Sequence, residues 1–460
     1  MPPYKHLDRY RQIVGILVDE GFDNVLDMTG LRRFQPVSAR LRPDHGHPES
    51  FGVRLRHTLE RLGPTFVKVG QVIASSPGLF PPDWTAEFAS LRDRVPPFPS
   101  ATARAIVEED LGRPLSSAFA SFEDEPLAAA SIGQVHGATL LDGTEVVVKV
   151  QRPGLDEQVR DELRALLLVC EVLERIPQTS VGSPRALAED FARTLHEEMD
   201  FRLEADNMER MRRILVDEQI TDARVPIVHH DLVGRRVLTM ERIRGFQLTD
   251  VEGMKAAGVD TERLLRMAVQ TVVEGVLVHG FFHGDLHAGN IAVLSDGTFV
   301  LFDFGIVGRL TESARARLAT YLMAVTTNDY ASMVRALRSF GSVPADVSVE
   351  EMAAEIQRLY EPFVTDGVVV AQLGELMDTM IRSMVQYRVR IPRELVLLSK
   401  QMLYLEGAAQ TLAPGADLLQ EQQIIYASLM TKYPDLAVEI MQSIQRGAEM
   451  DTAIASAGHV

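Results

Sequence analysis

The chain shows a repeated spacing of apolar residues at steps of three and four, which is typical of amphipathic helices. The spacing covers most of the first 120 residues or so. It is clearest at Leu55, Leu59, Leu62, Phe66, Val69 and Ile73. It returns over residues 155–176, 186–216 and 264–279, and it continues beyond residue 309 with breaks near Pro344, Pro392 and Pro414. The chain is therefore predicted to be mainly helical.

Short strands interrupt this helical pattern. Residues 128–150 are predicted to form a hairpin around Asp142-Gly143, and residues 291–302 a second hairpin around Asp296-Gly297. The Asp-Gly dipeptide favours this structure because it suits the positive φ angles of a tight turn. Residues 236–241 are a further strand candidate. A small sheet-bearing region followed by a helix-rich region predicts a two-lobed α+β protein.

The overall charge argues against one class of function. The 460 residues carry a formal net charge of -17, whereas a nucleic-acid-binding protein needs a basic surface to neutralise phosphates. The single cysteine rules out an intrachain disulfide and favours a reducing compartment.

No run of the sequence approaches the roughly 18 consecutive apolar residues that cross a bilayer. We therefore expect no nucleic-acid partner and no transmembrane segment.

The strongest chemical signal is His-Gly-Asp-Leu-His-Ala-Gly-Asn, which begins at His283, followed by Asp-Phe-Gly, which begins at Asp303. Phosphoryl transfer needs a carboxylate near the attacking oxygen, and Asp285 is the candidate. It also needs oxygen ligands for Mg²⁺, and Asn290 and Asp303 are the candidates. The hairpin predicted between the two segments brings their ends together. We therefore expect ATP and Mg²⁺ as cofactors, with His283 orienting the segment from His283 to Asn290, called here the catalytic loop.

A second group of residues, upstream, is suited to the phosphates of a nucleotide. Val-Val-Val-Lys ends a predicted strand at Lys149, in the manner of the kinase Val-Ala-Ile-Lys, whose lysine pairs the α- and β-phosphates. The preceding loop overlays Gly-x-Gly-x-x-Gly-x-Val with alanine at the first two glycine positions. Because alanine restricts φ, we expect a stiff cover over the phosphates. The candidate ATP-binding residues of this loop are Ala128, Ala129, Ala130, Ser131, Gly133 and Val135.

Several motifs in order make the chain similar to the UbiB-like atypical kinases, also called aarF-domain kinases. These are Lys-x-Gly-Gln from Lys68 to Gln71, the alanine-rich loop, and Glu-x-Asp at Glu198 and Asp200. The resemblance implies a protein-kinase-like fold with an N-terminal helical element packed over the active site, where Lys68 reaches toward Glu198 and Asp200. Residues two apart do not share a face of a regular helix. The Glu-x-Asp motif therefore needs either a broken helix or divided roles, and the sequence leaves both open.

The resemblance also assigns further residues of the nucleotide site. Glu204 takes the place of the helix glutamate that pairs with Lys149, so we expect Asp285, Lys149 and Glu204 to form the catalytic group. Glu241 ends a predicted strand and Ile243 follows it, and the two are expected to hold adenine through a backbone carbonyl and amide.

The resemblance further implies three domains. They are a helical extension with the Lys-x-Gly-Gln motif over residues 1–120, an N-lobe with a helical insertion over residues 121–243, and a helical C-lobe over residues 244–460.

The function implied by the resemblance is an atypical kinase or ATPase that uses Mg·ATP and supports biosynthesis of ubiquinone, other prenylquinones or related isoprenoid lipids. The expected partners are ATP, prenylquinone precursors or lipids, and their biosynthetic enzymes, while the oligomeric state is not indicated. Residues 31–61 are locally basic, which favours contact with anionic lipid headgroups. We therefore expect a cytoplasmic protein at the inner face of the plasma membrane.

Two other functions remain open. A small-molecule phosphotransferase of the aminoglycoside or choline kinase type also uses His-Gly-Asp-x-x-x-x-Asn, but it is not expected to carry Lys-x-Gly-Gln with an alanine-rich loop. A non-catalytic scaffold that binds nucleotide is the third reading, and the joint retention of Asp285, Asn290 and Asp303 argues against it. No Ala-Pro-Glu segment follows Asp303, which weakens an assignment as an ordinary protein kinase.

Overall fold

The computed structural model describes most of the chain. The described residues are 4–22, 50–63, 66–67, 69–70, 74, 86–88, 90–91, 96–173, 184–343, 347–365, 368–369, 393–414, 416, 418–442 and 445. Lys68 and Gln71 of the Lys-x-Gly-Gln motif lie outside the described residues, as does the larger part of the basic stretch. The roles predicted for them stay predictions.

Helices and short strands make up most of the described residues. The helices are α1 (Tyr4–Asp19), α2 (Phe51–Leu62), α3 (Ser100–Leu111), α4 (Leu155–Leu173), α5 (Pro184–Glu198), α6 (Phe201–Asp217), α7 (Val251–Ala256), α8 (Thr261–Leu277), α9 (Glu312–Thr326), α10 (Tyr330–Ser339), α11 (Val349–Tyr360), α12 (Arg393–Leu412) and α13 (Leu418–Lys432). The strands are β1 (Phe119–Ala129), β2 (Gly133–Leu140), β3 (Glu145–Gln151), β4 (Ala223–Arg224), β5 (Val228–Val233), β6 (Val237–Glu241), β7 (Phe246–Gln247), β8 (Phe281–His283), β9 (Ile291–Val293), β10 (Phe299–Leu301), β11 (Val307–Arg309), β12 (Val364–Thr365) and β13 (Val368–Val369).

These elements form two compact units. The first unit comprises Met1–Arg202 and His229–Met240, and the second comprises Leu203–Val228 and Glu241–Val460. The first contains a five-stranded sheet, and the second is rich in helices. The α+β, two-lobed fold predicted from the sequence is confirmed.

The sheet of the first unit has the strand order β1-β2-β3-β6-β5. The predicted hairpin is β2 and β3, antiparallel, with Gly143 at φ 89° in the turn. The predicted strand at residues 236–241 is β6. One face of β3 is built from Val146, Val148 and Val150, which are fully buried in a core that also includes residues of α3. This alternation fixes which side chains of β3 lie on the opposite face.

Strand β1 was not predicted from the sequence. It is the edge strand of the sheet, and most of its side chains are exposed, so it lacks the alternation of a half-buried strand. Its pairing with β2 shifts register around Pro126. A proline has no backbone donor for a ladder and is tolerated on an edge strand or at a bulge.

The helical stretch predicted over residues 186–216 is two helices. Helix α5 ends at Glu198 and α6 begins at Phe201, so Met199 and Asp200 form a break. Of the two arrangements that the sequence left open for the Glu-x-Asp motif, the structure shows the broken helix.

The second unit contains the other predicted hairpin, β9 and β10, with Gly297 at φ 87° in its turn. Beyond residue 309 the sequence predicted only helices, with breaks near three prolines, and in the described part of this region the prediction was wrong at one place. A short antiparallel pair, β12 and β13, lies between α11 and α12. Valine and threonine residues flank an Asp-Gly dipeptide there, and these residues favour a hairpin over a helix.

A helix that crosses a bilayer must be both long and predominantly apolar. Among the described residues, no helix combines these two properties.

Candidate active site

Lys149 lies on β3 in the first unit. The valines on either side of it point into the core, so Lys149 points to the opposite face of the sheet. It is paired across the ladder with Val135, a residue predicted in the ATP-binding loop. Its ammonium nitrogen lies 5.1 Å from the ring centroid of Phe201. The structure therefore brings Lys149, the end of the alanine-rich loop and the start of α6 together.

The alanine-rich loop is the connection between β1 and β2. Ala128 and Ala129 are the last residues of β1, and the Ala130 amide donates to the carbonyl oxygen of Gly133 at 2.8 Å, which closes the turn. Ser131 within it is buried. A Cβ at Gly133 would lie 2.5 Å from the carbonyl oxygen of Val150, so this glycine is required by the close approach of β3.

Arg152 fixes the conformation of this loop. Its Nε donates to the Ala130 carbonyl at 2.8 Å, and its backbone amide donates to the Ile132 carbonyl at 2.9 Å. Its guanidinium also donates to the Pro96 carbonyl at 2.9 Å. The loop is therefore held by side-chain contacts as well as by the restricted φ of alanine.

The Glu-x-Asp motif lies beside β3. The side-chain amide of Gln151 donates to the Met199 carbonyl at 2.8 Å, which fastens the break between α5 and α6 to the end of the strand. Glu198 is 8% exposed. Asp200 accepts two hydrogen bonds from the Arg202 guanidinium, at 2.7 and 2.8 Å, and these hydrogen bonds lower the pKa of the Asp200 carboxyl. Asp200 is therefore ionised at neutral pH and is paired with the Arg202 guanidinium.

His283 lies at the end of β8 in the second unit and is 3% exposed. Its Nδ1 accepts from the Asp285 amide at 3.0 Å, and its Nε2 donates to the Phe302 carbonyl at 2.8 Å. Burial lowers the pKa of His283, so the neutral imidazole is the favoured form. The two contacts use both nitrogens of the neutral ring and join the catalytic loop to the strand before Asp303. The structure therefore places His283 between the two segments, and its orienting role stays a prediction.

Asn290 links the same two segments. Its side-chain nitrogen donates to the Asp285 carbonyl at 3.0 Å, and its own carbonyl accepts from the Phe302 amide at 2.9 Å. The predicted convergence of the two segments through the β9–β10 hairpin therefore occurs. Because the amide nitrogen is a donor only, the amide oxygen is the Asn290 side-chain atom that can ligate a cation.

Asp303 follows β10 and has φ 54°, one of three non-glycine residues with positive φ among the described residues. The following residue, Phe304, is fully buried and packs edge-on against His283 with ring centroids 4.9 Å apart. The Asn207 side chain of α6 donates to the Phe304 carbonyl at 2.8 Å and accepts from Arg309 at 2.5 Å. Asn207 therefore holds the Asp-Phe-Gly turn, a role for which the sequence contained no motif.

Asp285 forms an ion pair that the sequence analysis missed. Lys400 Nζ on α12 lies 2.5 Å from Asp285 Oδ1. Burial by itself would raise the pKa of Asp285, but the nearby Lys400 ammonium outweighs burial, and the pKa lies below its ordinary value. The one available signal was a single lysine in a helical stretch rich in leucine, since lysine is seldom buried without a partner.

The remaining predicted residues also belong to the second unit. Glu204 on α6 is 3% exposed. The Glu241 amide donates to the Ile227 carbonyl at 2.9 Å, and Ile243 is half-buried. The Glu204–Lys149 pairing and the contacts of Glu241 and Ile243 with adenine stay predictions.

The donor set of the second unit fits Mg²⁺. Asn290 offers an amide oxygen and Asp303 a carboxylate, and Mg²⁺ is commonly held by one or two carboxylates together with phosphate oxygens and water. No cluster of three or more histidine, cysteine, aspartate or glutamate side chains suited to a metal is found in the described part of the chain. A cation that takes several ligands from a nucleotide does not need such a cluster.

Comparison with known proteins identifies the family of the chain. The model of the ABC1 atypical kinase-like domain matches residues 90–337, which include Lys149, Asp285 and Asp303. The chain belongs to the UbiB-like family of atypical kinases. A second model, the UbiB helical domain, matches residues 356–417 of this UbiB-like chain, a range that includes all of α12.

Individual relatives of the UbiB-like chain cover most of its length. An uncharacterized protein of Mycobacterium tuberculosis (strain ATCC 25618 / H37Rv) is 39% identical over 375 residues, which are 80% of this chain and 76% of that protein. A probable protein kinase UbiB of Marinobacter nauticus is 34% identical and covers 93% of this chain and 79% of its own length. An uncharacterized chloroplastic aarF domain-containing protein kinase of Arabidopsis thaliana is 35% identical, with 81% of this chain and 74% of that protein covered.

Proposed function

We propose that the protein is a Mg·ATP-dependent atypical kinase or ATPase that supports biosynthesis of ubiquinone, another prenylquinone or a related isoprenoid lipid. The observation that carries the proposal is the convergence of Asp285, Asn290 and Asp303. His283 and Asn290 each hydrogen-bond to both the catalytic loop and Phe302, the residue before Asp303. This arrangement is suited to phosphoryl transfer, where catalysis depends mainly on positioning and electrostatics.

Each candidate residue has a role in this proposal. In the first unit, Lys149 and the alanine-rich loop bind nucleotide phosphates. In the second unit, Asn290 and Asp303 hold Mg²⁺, and Asp285 accepts the proton of the attacking hydroxyl or water. Bound Mg²⁺ supplies positive charge to the phosphate oxygens. The kinase-like family supports these assignments, since the same residue types in the same order serve these roles in kinases.

The quinone and membrane parts of the proposal rest on the family resemblance. Relatives at about 35% identity are named probable protein kinase UbiB. An enzyme acting on prenylated substrates would meet them at a membrane, and a basic segment on an acidic protein is suited to anionic headgroups. We infer peripheral association at the cytoplasmic side of the membrane.

ADP release by the purified full chain tests the enzymatic part. We expect Mg²⁺-dependent release that rises when vesicles of anionic phospholipid or a short alkylphenol are added. The Asp303→Asn variant, which keeps the shape of the side chain and removes its charge, should lose at least about 100-fold in turnover. Asp206→Asn on the exposed face of α6 is the matched control and should behave as the unaltered protein.

Three results would count against the proposal. Release by the unaltered protein no greater than that of Asp303→Asn, with every additive, would remove the enzymatic function. Phosphorylation of a soluble hydroxylated compound would favour a small-molecule phosphotransferase. In cells that lack the gene, restoration of quinone content by Asp303→Asn as well as by the unaltered protein would favour a scaffold.

A further inference from the structure

Lys400, which contacts the catalytic loop, belongs to a different domain from the loop itself. Lys400 lies on α12, within the residues matched by the UbiB helical domain, and Asp285 lies within the residues matched by the kinase-like domain. The two side chains, 28% and 31% exposed, form a contact of 2.5 Å in the second unit. The helical domain thus contributes a charged group directly to the catalytic loop.

Packing holds α12 in place independently of this ion pair. One stripe of the helix is buried and consists of Leu395, Leu398, Met402, Leu405, Ala409 and Leu412. The helix packs against α8, and Thr261 Oγ1 donates to the Leu412 carbonyl at 2.6 Å. Because an α-helix has 3.6 residues per turn, Lys400 projects from the side opposite this stripe. A rigid helix, rather than a loop, therefore delivers the ammonium group to Asp285.

The contact leaves the two carboxylate oxygens of Asp285 in different states. Oδ1 accepts from Lys400, while His287 Nε2 lies 3.8 Å from Oδ2, beyond hydrogen-bonding distance. The backbone on both sides is also fixed, since the Asp285 amide donates to His283 and its carbonyl accepts from Asn290. One oxygen is held, and the other is left for a substrate group.

We propose that Lys400 is a positioning residue for phosphoryl transfer, supplied by the helical domain to the catalytic loop. It holds Oδ1 of Asp285 so that Oδ2 faces the phosphoryl acceptor, and its positive charge balances the carboxylate beside the transferred group. This inference rests on the proposed function. In the step, the bond from the acceptor oxygen to the γ-phosphorus forms as the bond from phosphorus to the bridging oxygen breaks. The electron pair leaves with ADP, and the acceptor proton passes to Oδ2.

The physical reason for such a cation is the charge of the reacting group. The transferred phosphoryl carries negative charge on its three equatorial oxygens, and cations beside it account for large rate factors in related enzymes. Asp285 and Asp303 add two further negative charges to the same site. An ammonium group on Oδ1 reduces this repulsion and also limits rotation of the carboxylate. Both effects lower the barrier to reaction, because the charges and the carboxylate are already in position before the phosphoryl group is transferred.

Steady-state kinetics of Lys400→Met in the full chain test the inference. We expect kcat to fall at least about tenfold, with KM for ATP changed by less than about twofold, because the interaction serves the transition state rather than nucleotide binding. Lys400→Arg should recover most of kcat, since it restores the charge and the donor. Lys255→Met, which removes an exposed lysine of the same unit, should match the unaltered protein.

A double-variant cycle separates positioning of Asp285 from a structural effect. If Lys400 acts through Asp285, adding Lys400→Met to Asp285→Asn should lower kcat by no more than about twofold further. Circular dichroism confirms folding of each variant, and Lys400→Gln replaces Lys400→Met if the latter does not fold.

The outcomes distinguish this inference from the proposed function. An unaltered protein that hydrolyses Mg·ATP together with an equally active Lys400→Met variant would overturn the role of Lys400 alone. A faster Lys400→Met variant would show that Lys400 inhibits turnover, and a raised KM for ATP at constant kcat would show that Lys400 binds the nucleotide. Either result would overturn the positioning role of Lys400. Absence of turnover in the unaltered protein would remove the proposed function, and this inference with it.

Discussion

At the scale of single residues, Asp303 has a backbone conformation that most residues avoid. Its φ of 54° lies in the left-handed region, where a residue with a Cβ is disfavoured by roughly 1–2 kcal/mol. Its carboxylate accepts from the Gly305 amide at 3.3 Å. Neighbouring contacts hold the turn, since the Phe304 carbonyl is bonded to Asn207 and the Phe304 ring is buried. Strain of this kind is retained at functional sites because the side chain is needed there.

This strain leads to a prediction for two replacements of Asp303. Asp303→Gly should be more stable than Asp303→Ala by about 1 kcal/mol, because glycine adopts positive φ without a steric cost. Both variants should lose Mg²⁺-dependent ADP release. Urea denaturation compares their free energies of unfolding, and equal values would show that the turn relaxes without strain.

At the scale of helices, a partly buried ionic cluster joins the end of α6 to α8 and to the end of α13. Lys432 Nζ contacts Glu274 at 2.7 Å and Glu218 at 3.0 Å, and the Tyr433 hydroxyl donates to Glu274 at 2.6 Å. Burial raises the pKa of Tyr433, so its hydroxyl remains a donor. The Glu274 side chain is only 1% exposed, which makes its charge dependent on these partners.

The cluster predicts a strongly non-additive pair of substitutions. Lys432→Met should lower the free energy of unfolding by about 1–3 kcal/mol, because it leaves a buried carboxylate with fewer partners. This loss is smaller than that expected for a fully buried pair, since the Lys432 side chain is 45% exposed. Adding Glu274→Gln should restore at least half of the loss. Urea denaturation of the single and double variants measures this, and simple additivity would contradict it.

At the scale of the whole molecule, each unit contains a buried histidine whose two ring nitrogens both form hydrogen bonds. In the first unit, His136 Nδ1 donates to the Glu123 carbonyl at 2.9 Å, and its Nε2 accepts from Gln134 at 2.8 Å. In the second unit, His283 has the equivalent arrangement between a carbonyl and an amide. Burial lowers the pKa of both histidines.

These histidines predict how stability depends on pH. Their folded pKa values lie below the ordinary value of about 6.5, so below that pH the unfolded chain binds more protons than the folded chain. The free energy of unfolding should therefore fall as the pH drops from about 6.5, by up to about 1.4 kcal/mol per pH unit for each histidine. Denaturation of the unaltered protein and of His136→Gln between about pH 7.5 and about pH 5.5 measures this. A decline that is equally steep in His136→Gln would contradict the contribution of His136.

The sequence by itself determined those features whose physical cause is local. The Asp-Gly turns specified both hairpins, apolar spacing specified the long helices, and the order of Lys149, Asp285 and Asp303 predicted a kinase-like fold that the family match confirms. The turn and helix signals are each contained within a few neighbouring residues, because turn geometry and helical periodicity act over short distances. The kinase-like motifs are also short, and the fold prediction depended on their order along the chain.

The tertiary structure alone decided the features that depend on contacts between distant segments. Strand β1 exists because it can pair with β2, although its own sequence is largely polar. Asn207 and Phe304 are 97 positions apart, and Lys400 and Asp285 are 115 apart. A hydrogen bond or ion pair of this kind leaves no periodic trace in the sequence, because its geometry is set by the packing of whole helices. Lys400 as the partner of Asp285 therefore became visible only in the folded molecule.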